Sequence, residues 1–230
     1  MKLKLVLTLA LLIALASPAR ALTVLCNGDS NTAAGTLPAD VRWCERLGTL
    51  ANVDIINRGV GGSAIVSKQH AYWYGNPMWG DFYIDLEVVD IDPFWYWSHG
   101  AETFLNRPTY YPLPKFDTVI LAWGTNDLNA YGYTPAEVLK AIKKARRKFT
   151  AYGAKVYVAT VPAIYELDGT KSVTMDPLIQ QLNRKIRGNF PKTYIEFYDG
   201  FSWADYSDRL HLNAQGHEKR ALAALEALSR

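Results

Sequence analysis

The heptapeptide CNGDSNT (residues 26–32) follows a short apolar run, LTVL, and sets a serine between an acid and an amide. On these residues alone Ser30 has two readings. Gly28 frees the backbone and the short polar side chains bond back to it, which describes a turn. A hydroxyl there is also a nucleophile if a base takes its proton, an acid orients that base, and donors face the developing oxyanion. The chain has four histidines, His70, His99, His211 and His217. Only His211, in SDRLHLNAQGH, has a carboxylate three residues earlier, Asp208. Across one turn that spacing sets an acid beneath the imidazole, where it fixes the tautomer and compensates the imidazolium. Taken alone, D-x-x-H equally describes a surface turn pair. His217 is expected on the first turn of the last helix, packed against the rim, while His70 and His99 lie among aromatics without a catalytic signature. Donors for an oxyanion are offered by NRGVGGS (57–63), through backbone N–H groups, and by GTND (124–127), through its asparagine amide. The G-x-S-x-G elbow of the α/β-hydrolases is absent, because position 32 is threonine.

Positioning these segments requires strands that end beside one another. Apolar, β-prone runs occur at LTVLCN (22–27), VDIIN (53–57), DTVILAW (117–123), KVYVATV (155–161) and TYIEFYD (193–199). Helical patterns separate them: Ala39–Leu50, the segment after Thr134, one opened by Asp176-Pro177, and one from about Asn213 to the end. The second has an N-cap at Thr134, proline at its first position and Glu137 to complete a capping box. Val138, Ile142, Ala145 and Phe149 share one face, Gly153 ends the run, and the basic stripe opposite reads as a solvated surface. Near-continuously apolar strands alternating with helices specify an α/β fold, a three-layer α/β/α sandwich around a flavodoxin-like five-stranded parallel sheet. In such sheets ligands bind beyond the carboxyl ends of the strands. Ser30, GVGGS, GTND and DRLH all follow strand ends, and so belong at one rim.

The 230 residues, 49% hydrophobic and 20% charged, suit one domain with a full core. The beginning is different. Lys2 and Lys4 precede an apolar run from Leu5 to Ala16 and a small-x-small ending, Ala19-Arg20-Ala21. Residues 1–21 read as a secretory signal peptide; the apolar run is shorter than the ~20 residues that span a bilayer. Removing Lys2, Lys4 and Arg20 brings the formal charge from +3 to zero, which removes the argument for a nucleic-acid partner. The remaining residues, 22–230, form the folded domain, exported and without stable membrane insertion. Cys26 and Cys44 would meet an oxidising compartment, where a disulfide and two buried thiols are equal alternatives. Leu25 is too large for a lipid-modified cysteine to follow it.

The four motifs, in this order, resemble the SGNH, or GDSL-type, hydrolases over essentially the whole chain after the leader, apart from about 64–115. The resemblance assigns Ser30 as nucleophile, Asp208 and His211 as its acid and base, and the Ser30 and Gly62 amides with the Asn126 side chain as oxyanion donors. Gly59 is the weaker match to the family's glycine. The implied activity is ester hydrolysis through an acyl-serine, with no metal and no cofactor.

Between the glycine block and the third strand, about 64–115, lies an aromatic-rich insertion much longer than a usual loop of ~4–6 residues. It holds four of the seven tryptophans, Trp73, Trp79, Trp95 and Trp97, and its acids outnumber its arginine. These aromatics serve as a small core of their own, as a platform for sugar faces with Asp81, Asp85 or Glu102 beside them, or as a lipid-facing cover, which the acidic balance disfavours. Asp85, Glu87, Asp90 and Asp92 lack calcium-loop spacing. The reading that follows is an exported esterase for small acyl, acetyl-type esters of a carbohydrate or similar alcohol. The alternatives are a broad carboxylesterase, lysophospholipase or thioesterase, an O-acetyltransferase, and a glycan-binding module on a degenerate hydrolase scaffold.

Overall fold

The computed structural model describes residues 22–59, 61–66 and 116–230. Residues 1–21, the expected leader, and residues 67–115 of the expected insertion lie outside them. Five parallel strands, β1 (Thr23–Gly28), β2 (Asp54–Gly59), β3 (Thr118–Ala122), β4 (Lys155–Ala159) and β5 (Tyr194–Ile195), stand in the order β2-β1-β3-β4-β5. The helices among the described residues are α1 (Ser30–Ala33), α2 (Trp43–Ala51), α3 (Thr125–Asn129), α4 (Pro135–Ala151), α5 (Asp176–Asn189) and α6 (Ala214–Leu228).

Alternation along the strands makes the layers, since successive side chains point to opposite faces. Leu25, Val119, Leu121, Val156 and Val158 pack against α4 and α5. Val24, Cys26, Ile120, Tyr157 and Ala159 pack against Trp43 and Leu47 of α2 and the alanines of α6. This is the expected three-layer arrangement with the flavodoxin-like strand order. Cys26 and Cys44 are joined by a disulfide, Cα to Cα 6.3 Å, which ties β1 to α2 inside the second core.

The capping box at the head of α4 is present: Glu137 N–H donates to Thr134 Oγ1 and Thr134 N–H donates to the Glu137 carboxylate. Two expected elements are corrected. The helix read over Ala39–Leu50 is a 3-10 turn, Ala39–Val41, followed by α2, with Arg42 extended between them (φ −69°, ψ 138°). The Trp43 N–H at the break donates to His217 Nδ1 at 3.2 Å. The strand read over 193–199 pairs only at Tyr194–Ile195. Beyond it the Glu196 carboxylate accepts from the amides of Tyr198 and Asp199, and Thr160 Oγ1 accepts from that of Phe197. Side chains take the amides that a ladder would have used.

The register sets up the site. Gly28 pairs with Gly59 on one side and with Ala122 on the other, so β1, β2 and β3 end at one level. The chain runs from β1 outward to β2, then crosses to β3, so the order reverses at β1. The crevice beyond that reversal is where open α/β sheets hold ligands.

Candidate active site

Each functional segment leaves the sheet at this level. Asp29 ends the β1 exit and caps α1, its carboxylate accepting from the Asn31 N–H at 3.0 Å. Ser30 is the first residue of α1. The Thr32 and Ala33 amides both donate to the Asp29 carbonyl. Among the described residues the Ser30 N–H has no acceptor, as first-turn amides have none within the helix. A turn is thus present at Ser30, and it is the turn that exposes the hydroxyl.

The Ser30 hydroxyl meets His211. Oγ lies 3.1 Å from Nε2, and Nδ1 lies 2.8 Å from Asp208 Oδ2. The other oxygen of Asp208 accepts from the amides of Leu210 and His211, each at 2.7 Å. Partial burial pushes the Asp208 carboxyl up, but those two amides and the imidazole outweigh it and hold the group below the usual carboxylate range. With the Nδ1–H donated to Asp208, the Nε2 lone pair faces the serine proton. The acid is open to water, its side chain 56% exposed. His217 takes no part in this: it sits buried in the first turn of α6, and burial, with the nearby Arg220 and Arg42, pulls it down to about 3. It therefore stays neutral and accepts the Trp43 amide.

The side expected to face an oxyanion is built on α3. Gly124 precedes that helix with φ 129°, a backbone that only glycine adopts readily, and a Cβ there would press on Val161. The Asn126 amide donates one N–H to the Ser63 carbonyl at 2.9 Å, which fixes the side chain and leaves its second N–H. The Gly62 carbonyl accepts from the Tyr131 hydroxyl at 3.0 Å. Both oxygens of Asp127 hold the same loop, accepting from the Ile65 N–H at 3.1 Å and the Val66 N–H at 2.9 Å. The loop passes so near Ser30 that a Cβ on Gly61 would sit 4.0 Å from the Ser30 Cβ. Gly59 serves packing, and its N–H donates to Asn57 Oδ1 at 2.9 Å. A side chain there would run into the backbone of Thr32 and Ala33, so this glycine lets β2 pack under α1.

Asp127 is fully buried, and burial pushes its carboxyl from 3.8 up to about 6, against the amides of Val66 and Ile65. The folded chain thus holds this proton more tightly than the unfolded one. Ionised Asp127 costs stability at neutral pH, a cost that is lost as pH falls from above 6 to about 4. Asn31, Asp127 and Tyr131 were not singled out by sequence. Their partners are backbone groups up to 181 residues away, which no local pattern signals.

The structure therefore brings Ser30, Asp208 and His211 together and sets the Gly62 loop and Asn126 beside one another. Trp73, Trp79, Trp95 and Trp97 lie outside the described residues. Among the described residues no three metal-binding side chains cluster, and no helix is long and apolar enough to cross a membrane. Such an arrangement of hydroxyl, imidazole, carboxylate and amide donors is competent for acyl transfer.

Comparison with known proteins agrees. The fold matches a lipolytic protein of the G-D-S-L family from Veillonella parvula (TM-score 0.62, 18% identity, 91% of this chain and 100% of that one). It also matches a carbohydrate acetylesterase family member from Sinorhizobium meliloti (0.61, 15%, 90% and 97%). A third match is an inhibitor-bound aryl esterase of M. smegmatis (0.58, 18%, 91% and 99%). No curated protein sequence matches the chain. Residues 26–219 match the GDSL-like Lipase/Acylhydrolase family. That span runs from the strand before Ser30 to the helix after His211, and the chain belongs to this family of ester hydrolases.

Proposed function

We propose that the protein is an exported serine esterase that works through an acyl-serine and prefers small acyl, acetyl-type esters of a carbohydrate or similar alcohol. The observation that carries the mechanism is the 3.1 Å approach of Ser30 Oγ to His211 Nε2. As Oγ forms its bond to the ester carbonyl carbon, the hydroxyl proton passes to Nε2. The tetrahedral intermediate expels the alcohol, which takes that proton as its carbon–oxygen bond breaks. A water then attacks the acyl-serine, gives its proton to Nε2, and the serine leaves with it. The negative oxygen of both intermediates is met by the amides of Ser30 and Gly62 and the remaining N–H of Asn126.

Asn126→Ala is expected to lower kcat by about 10²–10³, as loss of one oxyanion donor does. Wild-type turnover in the folded variant would remove Asn126 from that role. An intact set of reacting groups argues against a binding module on a decayed scaffold.

Two fold neighbours bear on the substrate: the description of the S. meliloti protein supports a sugar acetyl ester, and that of the M. smegmatis protein supports broader aryl-ester activity. Turnover of aryl acetate, butyrate and octanoate, with acetate release from acetylated xylan, separates them. The expected result is falling kcat/KM with chain length and release of acetate from the polymer. Rising kcat/KM, with none released, would favour the broad carboxylesterase. Export is supported by the basic, apolar and small-residue order of residues 1–21 and by the Cys26–Cys44 disulfide, a bond of oxidising compartments. The exported chain is expected to begin at Leu22; a secreted form retaining Met1 would contradict cleavage there.

A further inference from the structure

Ser30 and His211 are 181 residues apart in sequence, yet the proposed chemistry depends on their separation in space. Asp208 fixes the rotation of the imidazole, but it belongs to the same turn as His211, so it leaves the distance from that turn to α1 unset. The side chain of Asn31 spans this gap. Its Nδ2 donates to the Leu210 carbonyl at 3.1 Å, and its Oδ1 accepts from the Leu212 N–H at 3.3 Å. The two bonds bracket His211, much as the peptide group of a neighbouring strand would.

Asn31 is in turn anchored. It is 2% exposed, its N–H donates to the Asp29 carboxylate at 3.0 Å, and its carbonyl accepts from Arg220 Nη1 at 3.3 Å. Arg220 is itself buried in α6, with its guanidinium over the Phe197 ring. The main-chain N–H and C=O of Asn31 thus hold α1, and both ends of its side-chain amide hold the histidine turn. Only a donor and an acceptor in one plane on this length of stem satisfy both backbone groups. An ionised aspartate lacks the donor, and glutamine is a carbon longer.

We propose that Asn31 is the positioning residue that sets the Ser30–His211 distance, an inference that rests on the acyl-serine reading above. A displacement of ~1 Å between reacting groups lowers rates by about 10²-fold. Asn31→Leu keeps the branched, four-heavy-atom shape of the side chain and removes both bonds. A fluorophosphonate that labels serine esterases provides two separate readouts, the rate constant of labelling and the labelled fraction at completion.

Expected for Asn31→Leu is complete labelling at Ser30, with the labelling rate constant and kcat reduced in parallel by about 10²-fold and KM unchanged. Asn31→Ala, whose vacated space admits water to the Leu212 amide, is the second variant should Asn31→Leu not fold. A merely structural residue behaves differently: the labelled fraction falls while the surviving molecules react at the wild-type rate constant. That pattern, wild-type behaviour in the folded variants, or failure of both to fold overturns the proposal. Absence of Ser30 labelling in the wild-type protein would instead sink the acyl-serine reading beneath it.

Discussion

Ser30→Ala is expected to lower turnover by about 10⁵–10⁶, and His211→Ala by a similar factor, because either change removes the same event. Without Oγ no acyl-serine forms; without the imidazole nothing takes the hydroxyl proton at 3.1 Å. The double variant should therefore be no slower than either single one. Groups that act as one unit are not additive, and what survives reflects the oxyanion donors and binding alone. Neither change should unfold the protein, since both side chains sit at the rim outside the two cores. Steady-state rates on an aryl acetate check this. A double variant slowed by the product of the two single factors would mean that the residues act separately.

The second large effect is expected at Asp208. In Asp208→Asn one oxygen can still accept from the Leu210 and His211 amides, and the new NH2 then faces His211 Nδ1. Two donors cannot share that bond. The ring shifts its proton to Nε2, which then has no lone pair for the serine. A loss of about 10³–10⁴ in kcat at unchanged KM is expected, in line with other triads that hold the wrong tautomer. Exposure of Asp208 to water places this residue below Ser30 and His211 in effect, because water supplies part of the missing acceptor. NMR of the ring nitrogens in the folded variant should place the proton on Nε2. A variant within tenfold of wild type, its proton still on Nδ1, would show that the carboxylate is not what sets the tautomer.

The sequence was legible where its signals were local. Helix α4 carries its own start in Thr134, Pro135 and Glu137, and these three make the expected cap. The convergence of four motifs was legible for a related reason: each follows a strand, and parallel strands deliver their carboxyl ends to one rim. What escaped depends on distant partners. The break at Arg42 accompanies a bond from Trp43 to a histidine 174 residues on, and β5 stops where Glu196 and Thr160 take the amides of residues 197–199. Even the pairing of Cys26 with Cys44 needed the placement of α2 over β1. Asn31 was in plain view beside Ser30, but its role lies in backbone groups of the histidine turn.

The most direct test of the mechanism is rapid acid quench of the enzyme with excess aryl acetate, followed by peptide mass spectrometry. An acetyl group on Ser30 in the first turnover, absent from Ser30→Ala and accumulating in a variant slowed in deacylation, is the expected result. Product release with Ser30 never acylated, or the acyl group on another side chain, would contradict the proposed chemistry.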